Sequence, residues 1–272
     1  MLDLPAAFDS TMLPSPQINP DLLKPLEPSN DRDWRPDQAV LAYAEFHGDM
    51  ITVRNIRNCT YFTADDYVVE HYDKTFDLGE LDTVDFIMIP FPEMPGVGHT
   101  MLSFGFADRD YVCVSVEIRK EEGESYRPLA GLFRQYELIY VVGDERDLIG
   151  LRANHHLNDV YVYRARATPE QAQALFADVM LRVNELSEHP EFYHTLTNNC
   201  STNIRRHINR LSPDRVPYDY RVLLPGHSDE LAYELGLLKT DASFAEAKRR
   251  ARVNDLAYVW RDSPDFSVRI RR

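Results

Sequence analysis

Thr197, Asn198 and Asn199 run directly into Cys200, and together they read as a helix start that carries a thiol. Side chains of these types cap helices by accepting hydrogen bonds from the first free amides. Cys200, Ile204, Ile208 and Leu211 then share one face of the predicted helix, the face that meets the rest of the protein. A thiol in a first helical turn lies at the positive end of the dipole, among amides that lack partners. Both favour the thiolate, which is the nucleophilic form. The backbone amide of Cys200 and the Asn199 side chain can hold the oxyanion that forms when a thiolate attacks a carbonyl. A small apolar residue buried on an amphipathic helix fits the same pattern.

A thiol nucleophile needs a base, and the run from Gly98 to Phe106 supplies one. Strand alternation puts Thr100, Leu102, Phe104 and Phe106 on one face and His99, Met101, Ser103 and Gly105 on the other. In the next predicted strand Val112, Val114, Val116 and Ile118 oppose Tyr111, Cys113, Ser115 and Glu117. If the two apolar faces coincide, a short turn through Asp108 and Arg109 sets His99 across from Glu117 or on its diagonal. A carboxylate there fixes the tautomer of an imidazole and stabilises its charged form. Ser103, beside His99, is a further candidate contact for substrate or oxyanion, and the small residues of that face leave room for the Cys200 helix. Each part has a plainer use: His99 on a solvated sheet face, Glu117 as a surface charge paired with Arg119 or Lys120.

The rival thiols are weaker. Cys113 sits within a strand, without helix-terminus amides, and Cys59 has basic company but no placed base. Three well-separated cysteines imply no disulfide framework, and no Cys/His group has zinc spacing. No cofactor is expected. A Gly-rich phosphate loop and a Gly-x-Ser-x-Gly elbow are both missing. The net charge of -14 argues against a nucleic-acid partner, since affinity for a polyphosphate needs a basic footprint. No apolar run reaches membrane-spanning length, and the first residues do not form a signal peptide. The expectation is a cytosolic protein or one whose export segment lies outside this chain.

The elements that must position these residues fall into three stretches. Residues 1–37 hold seven of the seventeen prolines and read as an extended arm anchored by Trp34. Residues 38–240 begin with short runs rich in Val, Ile, Phe and Tyr, at 50–56, 84–89, 100–106, 111–118, 138–142 and 160–163. Their short connections predict a largely antiparallel sheet. Helices follow: Thr168-Pro169-Glu170-Gln171 starts one that ends before His189-Pro190, another spans about 199–211, and Ser228 caps a third. A fourth, over about 243–253, opens a C-terminal helical extension, 241–272. Strands followed by helices make an α+β chain.

Several of these runs resemble one bacterial family, the Lnb N-terminal periplasmic domain family. The likeness rests on Gly98-His99-Thr100 through Phe106, Val114 to Arg119, Gly131 to Glu137 and Thr197-Asn198-Asn199-Cys200. Val216-Pro217-Tyr218-Asp219 and Arg221 to Gly226 extend it, so that it covers roughly 30 to 240. The resemblance implies a circularly permuted papain-like fold, akin to lecithin:retinol acyltransferase and NlpC-type amidases, with the antiparallel sheet packed on the cysteine-bearing helix. It implies Cys200 as nucleophile, His99 as base and Glu117 as the group that orients it. It further implies a periplasmic or cell-envelope location, and transfer of a fatty acyl chain from a lipid to a lipoprotein amine, with peripheral contact at a membrane. Phe91, Phe133 and Tyr136 are candidates for an acyl groove, although core packing explains them as simply. The same dyad with water as acceptor gives a peptidase or amidase acting on cell-wall peptides. A non-catalytic binding domain keeps the fold alone.

Overall fold

The computed structural model describes residues 27–94, 96–107, 109–124 and 136–271. Its main sheet runs in the order β1 (Tyr43–His47), β2 (Met50–Arg57), β9 (Glu137–Gly143), β8 (Asp110–Arg119), β7 (Gly98–Phe106), β6 (Leu81–Pro90), β10 (Tyr161–Arg164). Strand β5 (His71–Asp77) also pairs with β2, and β3 (Thr60–Tyr61) with β4 (Tyr67–Val68) forms a separate hairpin. Neighbours are antiparallel except β2 and β9, which meet in parallel at Arg57 and Gly143. The sheet is therefore mixed but largely antiparallel, as the short connections predicted, with one parallel contact. The two parallel strands are distant in sequence, so no hairpin dictates their direction.

Every residue of β7 and of β9 is buried, which requires cover on both faces of the sheet. On one face lie Leu102, Phe104 and Phe106 of β7 with Val112, Val114 and Val116 of β8. Helix α3 (Pro169–Glu188) closes over them. Its start is a capping box, in which the Thr168 hydroxyl accepts from the Gln171 amide and the Gln171 side chain from the Thr168 amide. Its buried stripe is Leu175, Phe176, Val179, Met180, Val183 and Leu186, each stabilising the fold by roughly 1.5–3 kcal/mol. Phe176 fixes the stacking edge-on, with ring centres 5.0 Å from Phe104 and 5.4 Å from Phe106. Helix α4 (Cys200–Leu211) packs beside it, with Cys200 and Ile204 in the same core.

The opposite face carries Met101, Cys113, Ile139 and Val141. It is covered by α2 (Glu145–Gly150), by a π turn over Leu151–His155, and by the C-terminal helices α8 (Asn254–Val259) and α9 (Phe266–Arg269). Residues 241–271 thus pack into this core through Val253, Ala257, Phe266 and Ile270. Arg271 pairs with Glu145 and Asp85. Trp34 is buried with its indole nitrogen on the Asn30 carbonyl and the Arg119 guanidinium 4.2 Å from its ring centre.

One helix start differs from the sequence reading. Ser228 opens α6 (Ser228–Glu234) but does not cap it, because its hydroxyl donates back to the Pro225 carbonyl. The turn residue Asp108 lies outside the described residues.

Candidate functional site

Helix α4 begins at Cys200 because Asn199 caps it. The Asn199 carboxamide oxygen accepts from the Thr202 amide at 2.8 Å and from the Ser201 hydroxyl at 3.2 Å, while its amide group donates to the Thr195 carbonyl at 2.6 Å. Both ends of that side chain are engaged in shaping the turn. One of the two N–H donors of that carboxamide is thus committed to the Thr195 carbonyl, which fixes the side chain in the turn. The backbone amide of Cys200, at the first helical position, has no intrahelical acceptor.

The thiol lies against Thr100 of β7. The Thr100 hydroxyl is sealed from solvent and makes no hydrogen bond, while lying close enough to the sulfur to favour its anion. Burial pushes the Cys200 thiol up; the hydroxyl and amide of Thr100 and those of Ser201 pull the other way without reversing it. The resting group is a neutral thiol, not the thiolate that a helix terminus alone suggests. Desolvation of the anion outweighs the nearby donors. Cys113 is raised further by burial and Glu145, and Cys59 to about 12 by burial and Asp147.

Successive strand residues point to opposite faces, so Thr100 and His99 part company. Helix α4 therefore covers the Leu102 and Phe104 face, not the His99 face on which the small residues seemed to leave room. Cys200 and Ile204 bury against Leu102 and Phe104, whereas the His99 face is already covered by α2 and the C-terminal helices. Among the described residues no hydrogen bond joins His99 to Cys200.

His99 instead belongs to a relay. Its Nε2 lies 2.7 Å from Ser115 Oγ, and that hydroxyl donates to Glu117 Oε1 at 2.7 Å. Ser115 has one proton and gives it to Glu117, so it must accept from Nε2–H. The network thereby assigns the tautomer, leaving Nδ1 as the basic nitrogen. Nδ1 makes no hydrogen bond among the described residues and is not among the buried atoms shut off from solvent. Glu117 itself stands 3.7 Å from Nε2 and is held by Arg152 at 3.3 Å. Against burial, which pushes it up, Arg152, His99, Arg57 and the Ser115 hydroxyl hold the Glu117 carboxyl well below the usual range.

The β7–β8 ladder explains the gap that Ser115 fills. Its pairs end at Met101–Ser115, although β7 begins at Gly98 and β8 continues to Arg119. His99 and Glu117 flank this open end. Ser115 was visible in the sequence as a residue of the same face, between the two. Arg152 carried no such signal, since it reaches Glu117 from the π turn. Ser103 also shares the face but is fully buried, donating to Glu145 and accepting from Arg271 at 3.4 Å. It faces away from Cys200 and cannot serve an oxyanion there.

Burial lowers the His99 imidazole to about 4, helped by Arg152 and opposed by Glu117. A depressed base is neutral in the folded state while the unfolded chain, with a value near 6.5, takes up a proton. Its contribution to stability is thus fully present above pH 6.5 and lost as pH falls toward 4. Any rate that depends on neutral His99 should stay level from pH 7 to about 5 and fall only near 4. A pH–rate profile with an acid limb centred at 6.5 is the result that contradicts this.

Close backbone approach shapes the rim. Gly226 donates to the Gly96 carbonyl at 2.9 Å, and a Cβ on Gly226 would sit 2.6 Å from the Gly96 carbonyl carbon. Only glycine lets the Pro225–His227 turn lie against the approach to β7. A cavity of about 170 Å³ opens beyond, between Leu102 of β7, Leu175 of α3, Ile204 and Ile208 of α4, and Leu231 of α6. Ser201 lies on its wall, one residue from Cys200. Of the residues expected to form an acyl groove, Tyr136 is buried and Phe91 packs beside the Met101 core. Phe133 lies outside the described residues.

No curated protein and no solved structure matches the chain. The family model of the Lnb N-terminal periplasmic domain matches residues 68–226. That span holds His99, Ser115, Glu117, Arg152, Cys200 and Gly226 and is more than half of the 272 residues. The chain belongs to the Lnb N-terminal periplasmic domain family, and its place is the periplasm or cell envelope.

Proposed function

We propose that the protein is a cysteine-dependent acyltransferase that moves a fatty acyl chain from a lipid to the terminal amine of a lipoprotein. The observation that carries this is at the start of β7, where consecutive residues serve a thiol and an oriented imidazole. Thr100 faces the Cys200 sulfur, and His99 is held through Nε2 by Ser115 and Glu117 with Nδ1 unpaired. A cysteine opening a helix, a strand histidine and a third group that fixes it are the parts of a papain-like site. Their order here supports the permuted form of that fold.

The proposed reaction requires a rearrangement at the open end of the β7–β8 ladder that brings Nδ1 to the thiol, because the two groups lie on opposite faces of the sheet in the resting protein. Nδ1 takes the thiol proton as sulfur attacks the ester carbonyl, and the Cys200 amide holds the oxyanion. The carbon–sulfur bond forms, the carbon–oxygen bond breaks, and the imidazolium gives its proton to the leaving alkoxide. The lipoprotein amine then attacks the thioester. A carbon–nitrogen bond forms, the carbon–sulfur bond breaks, and the surplus amine proton returns through Nδ1 to sulfur.

Incubation with a diacylated lipopeptide and phospholipid, followed by mass spectrometry, tests the reading. The expected products are an N-acylated peptide and an acyl adduct on the Cys200 peptide. Cleavage of cell-wall peptides without either product would replace the transferase with an amidase. The burial of Cys200, 4% exposed, favours a second reading as a non-catalytic binding domain. Undiminished function in cells carrying Cys200→Ala would establish that one.

A further inference from the structure

The face of β7 that meets α4 carries Thr100, Leu102, Phe104 and Phe106, and Thr100 is its one polar side chain. The other three share a core with Cys200 and Ile204. A valine in place of Thr100 has nearly the same shape, suits a strand and leaves no hydroxyl to desolvate. Yet Thr100 is 0% exposed, and its hydroxyl makes no hydrogen bond. A buried hydroxyl without a partner lowers stability, and folded proteins rarely keep one. Among the described residues the hydroxyls of Thr83 and Thr195 are also shut off without partners, but both residues are partly exposed.

The surroundings of the sulfur give the Thr100 hydroxyl a use. Four donors lie close enough to favour an anion at Cys200: the hydroxyls and the backbone amides of Thr100 and Ser201. All four are neutral, so they act by hydrogen bonding and not by charge. The Ser201 hydroxyl has one proton, already directed to the Val222 carbonyl at 2.7 Å and the Asn199 carboxamide oxygen at 3.2 Å. That of Thr100 is uncommitted. Thr100 also lies one residue beyond the last pair of the β7–β8 ladder, so no β8 residue is paired with it.

We propose that Thr100 is a catalytic residue, its hydroxyl left without a partner at rest so that it can donate to the Cys200 sulfur when that atom becomes an anion. The thiol proton leaves to the base, the Thr100 O–H bond stays intact, and an O–H···S⁻ hydrogen bond forms. A neutral sulfur is a weak acceptor, whereas bonds to an ionised acceptor are about twice as strong as neutral ones. The interaction therefore strengthens as charge develops, which is the condition for lowering a barrier. The same bond assists departure of the thiolate when the thioester is consumed. Its part in acyl transfer rests on the reading above; its action on the thiol does not.

Alkylation of the full chain by iodoacetamide at one alkaline pH, followed on the Cys200 peptide by mass spectrometry, tests the donor without any acyl substrate. Thr100→Val should slow alkylation by about tenfold or more, the effect of losing a hydrogen bond to a charged group. Thr100→Ala should slow it too, although it opens space beside the sulfur; an effect of access alone would speed it. Thr100→Ser keeps the hydroxyl and should restore most of the rate. Thr100→Val should also melt on the order of 2–4 °C above wild type, because it removes an unpaired buried hydroxyl. Alkylation of Thr100→Val at the wild-type rate overturns the proposal, as does a serine protein as slow as the valine one. A clearly lower melting point for Thr100→Val shows a hydroxyl already bonded at rest and overturns it as well. Slow alkylation of Thr100→Val, in a chain that never N-acylates lipopeptide, sinks the transferase and keeps the donor. N-acylation by Thr100→Val at the wild-type rate does the reverse.

Discussion

Cys200→Ala should lower lipopeptide N-acylation by about 10⁴-fold or more and leave no acyl adduct on the protein, because no other group can form the thioester. His99→Ala should lower it by about 10³-fold, the range of a positioned base. The two losses should not add, since each disables the same step. Glu117→Gln acts through Ser115 and not on substrate, so a smaller loss is expected, about 10- to 100-fold. It should also move the acid limb of the pH–rate profile, because it removes the carboxylate that raises His99. Alkylation of Cys200 in the resting protein is expected to be slow at neutral pH, as the buried thiol is pushed up. Acylation then depends on proton transfer as substrate enters rather than on a standing thiolate. Full activity in a correctly folded Cys200→Ala protein would end the thioester mechanism.

The identity of these groups was legible because local rules act on neighbours. Capping chemistry marked the start of α4 at Cys200, and Thr168 with Gln171 marked α3. Period-two alternation put His99, Ser115 and Glu117 on one face before any tertiary contact was known. What alternation leaves open is which helix covers which face. Both parities of β7 are buried, so the pattern in 98–106 could not say whether α4 lay over His99 or over Leu102. The run Ile87-Met88-Ile89 did carry the clue, since an unbroken apolar stretch within a strand signals cover on two faces. Strands β1 and β5 escaped notice because Tyr43–His47 and His71–Asp77 mix exposed polar residues with few buried ones. The place of Arg152 depends on contacts between residues far apart in the chain, and no local period records those.

Asp147→Ala should destabilise the fold by about 3–5 kcal/mol, a large share of the roughly 5–15 kcal/mol that holds a domain together. Asp147 is fully buried and accepts Arg57 at both oxygens, 2.9 Å from Nε and 2.8 Å from Nη2. It also accepts the Cys59 amide at 2.8 Å and the Tyr61 hydroxyl at 3.3 Å. Truncation leaves a buried guanidinium without its counter-charge and an amide without an acceptor, and those desolvation costs set the magnitude. Thermal unfolding should fall by about 6–20 °C for a chain of this size. Replacing both partners, Arg57→Met with Asp147→Leu, should recover much of the loss because no lone charge remains. The damage should also reach the site. Asp147 ties α2 to the end of β2, and α2 leads directly into the turn that presents Arg152 to Glu117. A looser α2 frees Glu117 to accept a proton nearer its ordinary range, and His99 loses the partner that fixes its tautomer. The Asp147→Ala protein should therefore show, below its melting temperature, a lower acylation rate than its folded fraction predicts. A melting point within 1–2 °C of wild type would mean that Arg57 finds water or Asp37 instead, and that the pair contributes little.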